Sequence, residues 1–99
     1  MRDTFVRTLI EEAKKNKNIE LITGDLGFGV LKPFYEALPD QFTNVGIAEQ
    51  NMIGVAAGLA RAGKKPIAFA FSPFACERCF EQVRVDVAYS GLGVVIVGS

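Results

Sequence analysis

Between Asn44 and Ala60 the chain runs Asn44-Val45-Gly46-Ile47-Ala48-Glu49-Gln50-Asn51-Met52-Ile53-Gly54-Val55-Ala56-Ala57-Gly58-Leu59-Ala60, and Glu49 is its one carboxylate among small, apolar and amide side chains. An ionised carboxylate is expensive to desolvate unless something meets it, so Glu49 either caps its own helix or serves a ligand. In the capping alternative Gly46 is the N-cap and Glu49 the third helical residue. Its side chain then reaches back to the cap N–H, and its charge sits favourably beside the first turn. Residue types and spacing alone leave both roles open.

Three other groups could carry chemistry. Gly24-Asp25-Leu26-Gly27-Phe28-Gly29 is glycine-rich, but out of register for a dinucleotide fingerprint and without the Lys and Ser or Thr of a P-loop. By itself it reads as a permissive turn in which an Asp bonds backbone N–H groups. Cys76 and Cys79 form a Cys-x-x-Cys pair after an apolar run, as in a thioredoxin-type redox motif. The chain has no His to complete a closed zinc site, and the alternative is that small thiols pack on the inner face of a helix. Phe71 and Phe74 stand at the end of a strand-like run, where aromatics ordinarily belong to the core.

Gly46-Ile47-Ala48-Glu49-Gln50-Asn51-Met52 resembles the pyrimidine-binding domain of transketolases and of the similar deoxyxylulose-phosphate synthases. The likeness runs from about Gly24 to Ser99, and it implies that Glu49 activates thiamine diphosphate. Apolar surroundings favour the neutral form of a carboxylic acid, so Glu49 would share a proton with the pyrimidine ring nitrogen and promote the imino tautomer that removes the thiazolium C2 proton. The same likeness makes Asp25 and Leu26 cofactor contacts. Phe71-Ser72-Pro73-Phe74-Ala75-Cys76-Glu77-Arg78 matches the family's aromatic wall around the pyrimidine, followed by its Arg, which adds Phe71, Phe74 and Arg78 to the cofactor-binding residues. Glu81 and Arg84 are assigned to helix-surface or subunit contacts.

The chain lacks the Gly-Asp-Gly motif and downstream Asn with which the family holds magnesium and diphosphate. The resemblance therefore implies that magnesium is bound by a partner domain or subunit. Family members carry six parallel strands ordered 2-1-3-4-6-5, of which four are visible, so residues 1–99 are expected to be this domain without its C-terminal strands, as a fragment or a split subunit. The implied function is transfer of two-carbon ketol units between sugar phosphates, within a homo- or hetero-oligomer that includes a diphosphate-binding partner. The alternatives are a deoxyxylulose-phosphate synthase-type enzyme and a non-catalytic scaffold that only binds a partner subunit.

These residues need elements to hold them. Phe5, Leu9, Ile10 and Ala13 recur at helical spacing and predict an amphipathic helix over roughly residues 2–17. Strands are predicted at Ile19–Thr23, Phe42–Val45, Ile67–Phe71 and Gly93–Gly98, with helices over Leu31–Leu38, from Glu49 to Gly63, and near 75–90 with Phe80, Val83 and Val87 on one side. Such alternation predicts an α/β fold, a parallel sheet with helices on both faces, whose loops at the strands' C-terminal ends hold the functional residues. Gly54, Gly58 and Ala62, at four-residue spacing, would allow close approach of the sheet or of a partner subunit.

With 99 residues, 49% hydrophobic and 22% charged, the chain is an ordinary small globular domain. Eleven basic and eleven acidic residues, scattered, speak against nucleic acid or an anionic membrane as partner. No apolar run approaches a bilayer span and no apolar signal core follows Met1, so a cytoplasmic protein is expected.

Overall fold

The computed structural model describes residues 1–99. Helix α1 (Arg2–Lys15) precedes strand β1 (Ile19–Thr23), and α2 (Phe28–Ala37) with a short 3-10 turn (Pro39–Gln41) leads to β2 (Phe42–Asn44). Helix α3 (Glu49–Arg61) then runs to β3 (Lys65–Ala70). An irregular helical segment, α4, joins a π-type turn at Pro73–Glu77, an α-helical turn at Phe80–Gln82 and a second π-type stretch at Val83–Tyr89, before β4 (Val95–Gly98).

All three strand pairings are parallel, in the order β2-β1-β3-β4 that the six-strand topology predicts for its first four strands. β1 leaves leftward to β2, and the chain then returns across β1 to β3 and on to β4. Crossovers of one hand that travel in opposite directions must use opposite faces of the sheet. Accordingly, α1 and α2 bury Val6, Leu9, Ala13, Leu31 and Phe34 against Leu21 and Phe69 on one face. On the other, α3 and α4 bury Met52, Ile53, Ala56, Ala57, Cys79 and Val87 against Ile22, Ala68 and Ala70. Neighbouring strand residues thus serve different cores, which is why the central strands read as unbroken apolar runs.

Several expected boundaries move. α2 begins at Phe28, three residues early, because Gly27 takes a left-handed conformation (φ 75°) as its N-cap. There is no room for a side chain there: a Cβ on Gly27 would lie 3.1–3.2 Å from Leu31 and Phe69. α1 ends at Lys15 rather than 17, and β3 ends at Ala70, leaving Phe71 in the loop. The regular helix expected near 75–90 is replaced by α4, whose wide turns include an Arg78 N–H bond to the Pro73 carbonyl. Because a π-type turn takes in an extra residue, downstream side chains lose helical register. Phe80, expected inward with Val83 and Val87, is instead 64% exposed.

Candidate active site

Three loops emerge at the C-terminal ends of β1, β2 and β3, where the sheet changes direction between β1 and β3. Gly24 follows β1 and is buried against the α3 entrance. A Cβ there would sit 3.3 Å from the Gly46 carbonyl oxygen and 3.4 Å from Glu49 Cγ, so the approach of these two loops requires glycine. The third loop, after β3, brings in Phe71, Phe74 and Arg78.

Glu49 does not play the capping role that spacing allowed. α3 starts at Glu49 itself, Ala48 is the N-cap without any side-chain bond, and Gly46 is a left-handed turn residue (φ 81°) outside the helix. A first-position side chain points away from the cap and toward the sheet's C-terminal edge. Its residue is only 4% exposed. Oε2 accepts a 3.1 Å hydrogen bond from Arg78 Nη1, whereas Oε1 receives none from this chain. Burial is therefore met by one cation and by the positive end of the α3 dipole.

Arg78 is held from a second side. Its guanidinium carbon lies 4.1 Å from the centre of the Phe74 ring, a cation–π stack that lets one planar group bridge aromatic and acid. Phe74 is half-buried and its ring centre is 5.9 Å from that of Phe71, which is exposed. The π-type turn makes this possible by presenting Phe74 and Arg78 together on the side facing Glu49. Glu49, Arg78, Phe74 and Phe71 thus form one continuous array.

Asp25 and Leu26 lie beside it in different ways. Asp25 adopts φ 57° and is bound on two atoms by Asn44, its amide at 2.9 Å and its carboxylate at 3.0 Å. Leu26 is half-buried and packs against both cores. With Phe28, Tyr35, Phe42 and Asn44 it lines a cleft of about 350 Å³ that Glu49 does not reach. The acid, and not the cavity, locates the chemistry. Asn44 and Gly24 were not singled out by sequence, although an Asn two residues before a glycine is the pattern of an Asx turn, and its Oδ1 does accept the Gly46 N–H at 3.0 Å.

The two cysteines are free and differ in setting. Cys76 is exposed; Cys79 is buried, its Sγ 2.9 Å from the Phe74 carbonyl oxygen. Burial, followed by the nearby Glu49 charge, pushes the Cys79 thiol above its ordinary range, only partly opposed by Arg78. That is the direction opposite to a reactive thiolate, and it supports packing for Cys79 over redox work. No group of three or more His, Cys, Asp or Glu side chains gathers into a metal-binding cluster.

Comparison with known proteins agrees with this geometry. The family model described as the transketolase pyrimidine-binding domain matches residues 1–99. A 6-deoxy-6-sulfo-D-fructose transketolase subunit of Clostridium sp. (strain MSTE9) is 46% identical over 100 aligned residues, covering all of this chain and 31% of the relative. A 1-deoxy-D-xylulose-5-phosphate synthase of Desulfotalea psychrophila is 44% identical over 93 residues, 93% of this chain and 14% of the relative. Among solved structures, a split-gene transketolase described as an inactive beta4 tetramer superimposes with a TM-score of 0.89 at 40% identity, covering 98% of this chain and 33% of that one. The chain therefore spans at most about a third of each of these proteins.

Proposed function

This chain belongs to the transketolase pyrimidine-binding domain family, and on that basis we propose that it is the cofactor-activating half-site of a thiamine-diphosphate-dependent enzyme that transfers two-carbon ketol units between sugar phosphates. The observation that carries the reading is the buried Glu49 carboxylate, with Oε2 engaged by Arg78 and Oε1 taking no bond from this chain, beside the Phe74 ring. Thiamine diphosphate, when bound, supplies the carbanion chemistry.

The residues present fit the pyrimidine end of that cofactor. Glu49 would hold a proton between Oε1 and a ring nitrogen, in a position shielded from water. Phe74 and Phe71 would offer ring faces for stacking, worth roughly 0.5–1.5 kcal/mol beyond the area covered. Arg78 would orient the carboxylate through Oε2, and Asp25 with Leu26 would close the side formed by the first loop. The diphosphate end has no counterpart here, since no carboxylate cluster suited to magnesium is assembled. We assign magnesium and the diphosphate to a partner domain or subunit, within an oligomer that the split-subunit relatives and the tetrameric neighbour make reasonable. A deoxyxylulose-phosphate synthase-type activity is the second reading, supported by a relative of that name at 44% identity.

Calorimetric titration with thiamine diphosphate and magnesium, on the chain with and without its diphosphate-binding partner, tests the half-site. Tight binding is expected only in the assembled complex. There, Glu49→Gln should lower ketol transfer by roughly 10²-fold or more, because an amide cannot share the proton. Full activity in that variant would remove Glu49 from the chemistry.

A further inference from the structure

We propose that Asn44 is a positioning residue that clamps the Asp25 loop to the loop entering α3 and thereby sets where Glu49 stands; the inference rests on the cofactor-binding reading above. Asn44 is the last residue of β2, and its one side-chain amide serves both loops. Oδ1 accepts the Asp25 N–H at 2.9 Å and the Gly46 N–H at 3.0 Å, while Nδ2 donates to Asp25 Oδ1 at 3.0 Å.

Both clamped residues are left-handed, Asp25 at φ 57° and Gly46 at φ 81°. A non-glycine residue keeps such a conformation where its surroundings hold it, and here the same amide holds Asp25 by its backbone and by its side chain. The clamp reaches the acid through close contact. Gly24, adjacent to Asp25, is so near Glu49 that a Cβ on it would lie 3.4 Å from Glu49 Cγ, and Gly46 lies three residues ahead of Glu49. A shift of either loop is thus passed to the carboxylate. An Asp at position 44 could accept both N–H groups, but it could not donate to Asp25 and would set two carboxylates together.

The two functions of the amide can be separated in the assembled complex, measuring the thiamine diphosphate dissociation constant, kcat at saturating cofactor, melting temperature, and amide hydrogen exchange at Asp25 and Gly46. Asn44→Ala, which removes all three bonds, should raise the dissociation constant roughly tenfold, lower kcat and speed exchange at both amides. Asn44→Asp should keep the constant raised through repulsion of Asp25 but return kcat close to wild type, because Gly46 stays anchored. Lower melting temperatures in both variants with constants unchanged would reduce Asn44 to a structural turn residue and overturn the proposal, as would wild-type amide exchange in Asn44→Ala. Should the wild-type complex bind no cofactor, the functional reading falls by itself. Exchange at the two amides then still decides the clamp: acceleration in Asn44→Ala retains it, and no change removes it.

Discussion

Glu49 and Arg78 form an ion pair whose halves are unequal: the glutamate side chain is 5% exposed and the arginine side chain 48%. Removing the cation strands a buried carboxylate, whereas neutralising the acid releases a guanidinium that water can already reach. Arg78→Ala should therefore destabilise by about 1–3 kcal/mol, and Glu49→Gln by about 1 kcal/mol or less. Urea unfolding of the two variants checks this; equal costs would mean that the pair is solvated on both sides. Arg78→Lys should recover only part of the loss, since an ammonium keeps the charge but not the flat stack on Phe74. Cys79, beneath this pair, allows a prediction in pH. Its thiol is raised in the folded protein by burial and by Glu49, so the folded state holds that proton more tightly than the unfolded chain. The associated stability is fully present below the ordinary thiol range and is lost as pH climbs from there through the raised folded value. Urea midpoints between about pH 7 and pH 10 should fall in wild type more steeply than in Cys79→Ala. Parallel slopes would show that the thiol makes no such contribution.

Among the elements, α1 and α4 show how distant residues complete local structure. α1 ends at Asn16 in an extended conformation, without the left-handed glycine that commonly closes a helix. Its last carbonyls are met from the 3-10 turn before β2. Gln41 Nε2 lies 3.0 Å from the Ala13 oxygen, 3.2 Å from that of Asn16 and 2.9 Å from that of Ile19, tying α1 to the start of β1. Gln41→Leu should cost about 1–3 kcal/mol by leaving these carbonyls without a donor at a buried position. Thermal or urea unfolding measures it, and a loss within error of zero would mean that water replaces the amide without penalty. α4 uses its wide turns differently. They bring Phe74 and Arg78 to the Glu49 side, turn Cys79 into the core and leave Phe80 outside, an arrangement that a uniform helix of the same residues would not produce.

At the scale of the molecule, the reversal of strand order between β1 and β3 creates the site. The chain leaves β1 in one direction and β3 in the other, and the loops that separate there enclose the Glu49 end of α3. The rim is tightly fitted on the β4 side as well. A Cβ on Gly98 would fall 2.6 Å from Ser72 Oγ and 3.1 Å from its Cα, while the Ser72 N–H bonds the Ser99 carbonyl and the Ser99 N–H that of Ala70. The loop carrying Phe71 and Phe74 is therefore anchored to the neighbouring strand end. The small-residue stripe expected to face the sheet or a partner does not lie on the sheet: Gly58 and Ala62 are exposed, and no atom beyond the helix comes within 4 Å of a Cβ built on Gly58. α3 instead covers the sheet with Met52, Ile53, Ala56 and Ala57.

Much of this was legible in the residues alone. Ile19–Thr23 is a strand at its expected bounds, the parallel order follows from alternation and crossover hand, and the wording around Glu49 indicates the family to which the chain belongs. Those features depend on period, composition and local turn chemistry, which a linear string carries. The role of Glu49 within its helix was not legible, because Gly46 and Ala48 are both acceptable helix starts and only the contact with Gly24 and Arg78 selects between them. Likewise, Asn44 bridges residues 19 apart and Gln41 residues up to 28 apart, while the outward turn of Phe80 depends on one extra residue in a helical turn. Hydrogen bonds across such separations, and the register of an irregular helix, are set by which surfaces meet once the sheet has formed, and so belong to the tertiary structure alone.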